Sequence, residues 1–151
     1  MVCAMGYEVS VQTVAAQPTA VVPARTTWPQ FPSVWPGLLD EVWAQVDAAG
    51  LSRHCRNVML YRDDVPNVEI GVELLQPARF GGRVVISQLP AGEVAATVHR
   101  GSFHEVGAAH QAIHDWCAAQ GRRLLGPRWE IYGHHHDDPA QLRTDVCYLL
   151  G

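Results

Sequence analysis

The chain contains no lysine, and all 11 of its basic residues are arginine. That absence excludes a Walker-type phosphate loop, whose lysine reaches the nucleotide phosphates, and any lysine Schiff-base chemistry. Charge is scarce: acidic and basic side chains make up 17% of the residues, the formal net charge is -4 with histidine neutral, and no run of like charge occurs. A nucleic-acid-binding surface needs clustered cations, so direct nucleic-acid binding is not expected. There is no CxxC pair. Cys3, Cys55, Cys117 and Cys147 are widely spaced, which reads as free thiols in a reducing compartment. No basic segment followed by an apolar run opens the sequence, and no apolar stretch approaches the ~20 residues that cross a bilayer. The expected location is the cytoplasm, with no membrane partner. With 48% apolar residues in 151, the chain can bury a core as one domain, or as two small halves sharing one core.

Periodicity supplies the elements. Residues 7–14 and 19–24 read as strands, the second interrupted by Pro23, which suggests an edge or a strand end. Ser33 is a plausible N-cap with Pro36 in the first turn. Leu38, Leu39, Val42, Trp43 and Val46 then recur at helical spacing until Gly50. Strands follow at 58–62 and 68–75, and the Pro/Gly-containing stretch 76–82 is the connector. The order then repeats: strands at 84–89 and 93–99, a helix over 105–120 with Phe103, Val106, Ala109, Ile113, Trp116 and Cys117 as its buried stripe, and strands at 129–132 and 144–150. Gly50 and Gly121 are separated by 71 positions, as are Tyr61 and Tyr132. The reading is therefore an α+β domain over 1–151. Two tandem duplicated β-α-β-β units, about 7–76 and about 82–150, would be related by a pseudo-twofold. Their antiparallel sheet would carry two helices and a central ligand cleft. Exposed edge strands in such a sheet would permit a homodimer.

Leu89-Pro90-Ala91-Gly92, His99-Arg100-Gly101-Ser102-Phe103, the helix through Trp116, and Gly126-Pro127-Arg128-Trp129-Glu130-Ile131-Tyr132 form an ordered series. That series resembles the GyrI-like small-molecule-binding domain, which also serves as the effector-binding domain of MerR-type and some AraC-type multidrug regulators. With the first half, the likeness covers nearly the whole chain. It implies a ligand cleft between pseudo-symmetric halves, with Glu130 facing it. It also implies three kinds of role: binding of lipophilic organic cations in drug or toxin sensing or sequestration, hydrolysis of cyclopropane-bearing toxins, or modulation of gyrase. No helix-turn-helix segment accompanies the domain, so a stand-alone member is expected. The family favours a tyrosine near the end of the domain, and Cys147 is expected to take that position, reshaping the pocket wall.

Strand alternation puts Arg128, Glu130 and Tyr132 on one face and Trp129 and Ile131 on the other. The internal repeat makes Met59 and Tyr61 the counterparts of Glu130 and Tyr132. The candidate ligand-binding set is thus Glu130, Tyr132, Tyr61, Met59, Trp35 and Cys147, with Trp35 as a lid. Aromatic faces attract a delocalised cation, and methionine adapts to varied shapes. A carboxylate buried among them should have a raised pKa. Pattern alone also allows Glu130 to be a surface group or a partner of Arg128, and allows Tyr61, Tyr132, Trp35 and Met59 to be ordinary core. For hydrolysis, Glu130 would activate water and Tyr132 would protonate the leaving group. His110 and His114 stand one helical turn apart and His134–His136 adds three imidazoles, but no HExxH motif occurs. Neither metal nor cofactor is expected.

Overall fold

The computed structural model of the chain describes residues 3–4 and 6–151, with side chains from residue 6 onward. The first strands are β1 (Cys3–Ala4), β2 (Tyr7–Glu8), β3 (Ser10–Val14) and β4 (Gln17–Arg25), followed by α1 (Phe31–Ala48), β5 (Asn57–Tyr61) and β6 (Asn67–Glu73). Next come β7 (Val85–Leu89), β8 (Gly92–Arg100), a 3-10 turn (Phe103–Glu105), α2 (Gly107–Gln120), β9 (Leu124–Tyr132) and β10 (Arg143–Leu150). β1 and β2 pair with each other. The other strands form one antiparallel 8-stranded sheet in the order β3-β8-β10-β9-β5-β6-β4-β7.

Connectivity dictates the curvature of this sheet. β3 and β4 are joined only by Ala15 and Ala16, and β7 and β8 only by Pro90 and Ala91, yet five strands separate each pair in the sheet. Laid flat, those partners would stand roughly 28 Å apart. The link from Val14 to Gln17 reaches only about 11 Å. The sheet must therefore curl until its two edges approach. Val14 and Leu89, from opposite edge strands, accordingly share one buried apolar cluster with Val58, Leu60, Trp129 and Cys147 on the concave face.

The helices cover the convex face. Leu38, Val42 and Val46 of α1 pack on Ala20, Val22, Ile70 and Val72 of β4 and β6. Ala109, Ala112, Ile113 and Cys117 of α2 pack on Ala95, Val146 and Leu150 of β8 and β10. Burying each such Val or Ile contributes about 1.5–3 kcal/mol. α2 ends at Gly121, whose φ of 67° lets the Arg122 amide return to the Cys117 carbonyl.

Two local expectations are corrected. Ser33 does not cap α1. The helix starts earlier, with Gln30 at the cap and Pro32 in its first turn, and the Ser33 hydroxyl donates to the Gln30 carbonyl. The segment after Phe103 begins as a 3-10 turn capped by Ser102, and the α-helix starts only at Gly107. Pro23 stands where an edge was expected: β7 pairs with β4 only as far as Val21, so at Pro23 β4 is paired on one side only, with β6.

Each edge strand pairs with a strand distant in sequence: β3 with β8, and β7 with β4. Read outward from the centre, both sides of the sheet then present the same succession, with β5 and β9 as the central pair. Their register places Met59 opposite Glu130, Asn57 opposite Tyr132 and Tyr61 opposite Arg128. α1 and α2 sit over the flanking strands, so the convex face of the central pair is left without a helix above it.

Candidate functional site

The uncovered stretch over β5 and β9 is a cavity of about 580 Å³. Strand alternation aims Met59 and Tyr61 of β5 and Glu130 and Tyr132 of β9 into it, while Val58, Leu60, Trp129 and Ile131 point to the concave side. Trp35 and Leu39 of α1 form one wall, and Phe103 and Val106 ahead of α2 form the other. Phe31 closes the α1 end, and Tyr61 packs edge-on against it with ring centroids 5.5 Å apart. Phe103 stands at 90° to Tyr132, centroids 6.4 Å apart. Trp28 packs edge-on against Phe31 and at a tilt against Tyr61 without lining the cavity.

Glu130 is 3% exposed. Its Oε1 accepts from the Tyr61 hydroxyl at 2.8 Å and the Tyr132 hydroxyl at 2.5 Å. Its Oε2 lies 2.6 Å from Nε2 of His110, whose Nδ1 lies 2.7 Å from the Tyr148 hydroxyl. With the imidazole neutral, Nε2–H donates to the carboxylate and the Tyr148 hydroxyl donates to Nδ1; with it charged, both ring N–H groups donate, one to Glu130 and one to Tyr148. Both Tyr61 and Tyr132 also approach the Met59 sulfur, at 3.6 and 3.8 Å. Each phenol has a single proton, which the carboxylate takes, so the thioether makes packing contacts only.

Burial is the largest influence on Glu130 and raises its pKa, but bonds and charge from His110 and bonds from Tyr132 and Tyr61 together outweigh it. The carboxyl is held below its usual range. The expected rise is thereby corrected, because burial was foreseeable from sequence and the donors were not. Burial, then the adjacent Glu130 charge, drives the Tyr61 and Tyr132 phenols well above the ordinary tyrosine value. Burial pushes Tyr148 up to about 12. The carboxylate is ionised and its phenols are neutral donors.

Arg128 does not pair with Glu130. It bonds Asp64 at 2.8 Å and lies over the rings of Trp28 and Tyr61, 5.6 and 5.9 Å from their centroids. Of the sequence-predicted set, Glu130, Tyr132, Tyr61, Met59 and Trp35 meet at the cavity. Cys147 does not. It is the register partner of Trp129 and faces the concave side, where burial pushes its thiol up to about 12. Its neighbour Tyr148 reaches the network instead, since one step along a strand reverses the face. The sequence offers His110 only as a metal ligand. The signal that it belonged to the site was its place on the apolar stripe Val106, His110, Ile113 and Cys117, where a polar side chain needs a partner. Among the described residues, no group of three or more His, Cys, Asp or Glu is placed to hold a metal.

A second hollow, about 770 Å³, lies on the concave side between β3, β8 and β10. It is the larger of the two, but its Arg143 and Asp145 are paired with each other at 2.8 Å and Glu130 does not line it.

The chain matches the GyrI-like small molecule binding domain over residues 7–150 and belongs to that family. Among solved structures it is similar to the EcmrR C-terminal domain, with a TM-score of 0.75 at 15% identity, covering 96% of this chain and 98% of that one. It is also similar to SAV2435, solved bound to tetraphenylphosphonium, with a TM-score of 0.69 at 12% identity and 95% and 94% coverage. A hydrolase from Listeria innocua matches with a TM-score of 0.58 at 14% identity, covering 95% of this chain and 92% of that one. At these identities the likeness is one of fold. No curated protein matches the sequence.

Proposed function

We propose that this GyrI-like domain binds hydrophobic, cationic aromatic molecules in the cavity over β5 and β9, for drug or toxin sensing or sequestration. The observation that carries the reading is an ionised, buried carboxylate on the floor of an aromatic-lined cavity, with no arginine paired to it. Glu130 supplies attraction without close contact, because its oxygens already accept from Tyr61, Tyr132 and His110. The rings of Tyr61, Tyr132, Phe31 and Trp35 supply faces for a delocalised cation. Met59 adjusts to ligand shape. Such a site selects for charge and greasiness without matching individual hydrogen bonds, which suits ligands of varied structure. The fold likeness to a protein solved with tetraphenylphosphonium makes that ion the natural first probe. The test is titration of tryptophan fluorescence with tetraphenylphosphonium. Saturable quenching that weakens in Glu130→Gln supports the reading, and equal behaviour of the two proteins refutes it.

Hydrolysis is the second reading, and one observation favours it. Glu130 is ionised beside two phenols kept neutral, a base and an acid in contact. Glu130 would orient a water toward a strained electrophile, and Tyr132 would protonate the leaving group. A product one water heavier than a cyclopropane-bearing substrate, seen by mass spectrometry and lost in Glu130→Gln, would establish it.

A further inference from the structure

We propose that His110 is a specificity-determining residue: its imidazole acts as a built-in counter-charge to Glu130, so that protonation of His110 and binding of a cationic ligand oppose each other. The inference rests on the cavity being the ligand site, and it assigns a role to an imidazole behind that site. Nε2 of His110 lies 2.6 Å from Glu130 Oε2, on the side away from the tyrosines, and its side chain is only 18% exposed. A neutral imidazole leaves the cavity floor one net negative charge. An imidazolium cancels it while keeping the hydrogen bond, because both forms place a proton on Nε2.

A ligand cation then meets either a net anion or a neutral pair. Binding is stronger to the form with neutral His110, so by linkage the cation expels a proton, and added protons expel the cation. The groups facing His110 are Glu130 of β9 and Tyr148 of β10, together with His114 on its own helix, which packs edge-on against the Tyr148 ring at 5.0 Å. Tyr61 and Tyr132 act on it only through Glu130. Tyr148 fits the exchange, since its hydroxyl donates to the neutral imidazole and accepts from the charged one. Two other imidazoles, His104 and His135, line the cavity. They remain in a His110 variant and so serve as an internal control.

The experiment is isothermal titration with tetraphenylphosphonium, and with uncharged triphenylphosphine oxide, over roughly pH 5 to 8, where imidazoles exchange charge. Each titration is repeated in two buffers of different ionisation enthalpy to count released protons. Wild type is expected to lose affinity for the cation on the order of tenfold toward the acid end, to release protons on binding, and to hold the neutral ligand evenly. In His110→Gln, whose amide still donates to Glu130, both pH dependence and proton release should disappear. NMR of the wild-type His110 ring gives the same answer without a variant: the cation should move its titration midpoint to lower pH. Binding that is independent of pH, or a dependence that persists in His110→Gln, overturns the counter-charge role and leaves the cation site standing. No saturable binding of the cation at any pH overturns both.

Discussion

Replacing Glu130 by glutamine removes the charge from the cavity floor and little else. Tyr61 and Tyr132 both donate to Oε1, and the glutamine carbonyl keeps that acceptor. Oε2, which faces His110 Nε2, becomes an amide nitrogen. The imidazole meets it by changing tautomer, accepting at Nε2 and donating from Nδ1 to Tyr148. All three neighbours retain partners, so fold stability should change by only about 1–2 kcal/mol. The effect on a ligand is larger. A unit charge centred ~7 Å from the carboxylate, at an effective dielectric constant of ~20, is attracted by about 2.4 kcal/mol. Its removal should weaken tetraphenylphosphonium binding roughly 50-fold. Triphenylphosphine oxide, of similar shape without the charge, should lose nothing comparable. Fluorescence titration of both ligands, with a urea midpoint for each protein, reads the two effects separately. A cation affinity within about threefold of wild type, or equal losses for both ligands, would refute charge as the basis of recognition. Glu130→Leu differs in kind: it orphans three donors at about 1–3 kcal/mol each and should show chiefly as instability.

Further predictions concern the fold and its titration. A Cβ on Gly71 would meet the Ala20 carbonyl oxygen at 1.9 Å and Val21 Cα at 2.8 Å, so Gly71→Ala should cost more than about 3 kcal/mol by chemical denaturation. A near-neutral result would mean that β4 and β6 are not held that close. Because Glu130 titrates below its usual value of 4.5 in the fold, its stabilising contribution is complete above that pH. It is lost as pH falls through the depressed value, so wild type should lose more stability in acid than Glu130→Gln. The Tyr61 and Tyr132 phenols are raised above 10.0. Their contribution is complete below that pH and is lost as pH rises through the folded values. Phenolate absorbance from these two should therefore appear only with unfolding. Cys55, Cys117 and Cys147 are buried with raised thiols, and none should react with a thiol reagent before denaturant is added.

Much of this was legible along the chain, because it depends on local period and on spacing. Alternation in residues 129–132 put Glu130 and Tyr132 on one face whatever that face met. The apolar spacing of Leu38, Val42 and Val46 made a helix with a single buried stripe, and the 71-position offset tied Met59 to Glu130 before any strand was paired. What stayed hidden depends on contacts between distant segments. Cys147 was placed one residue out of phase, since nothing local fixes which of two adjacent residues a strand turns inward. Only its pairing with Trp129 does. The pairing of β3 with β8 and of β7 with β4 follows from two short links inside a sheet whose order the sequence does not state. His110 meets Glu130 across 20 positions and Tyr148 across 38, so the imidazole that helps hold the carboxylate ionised reaches it only once α2 lies on the sheet. The sequence determined which side chains could build the site. The packing of helix on sheet decided the charge they carry, because a buried carboxylate takes its protonation from the donors that surround it.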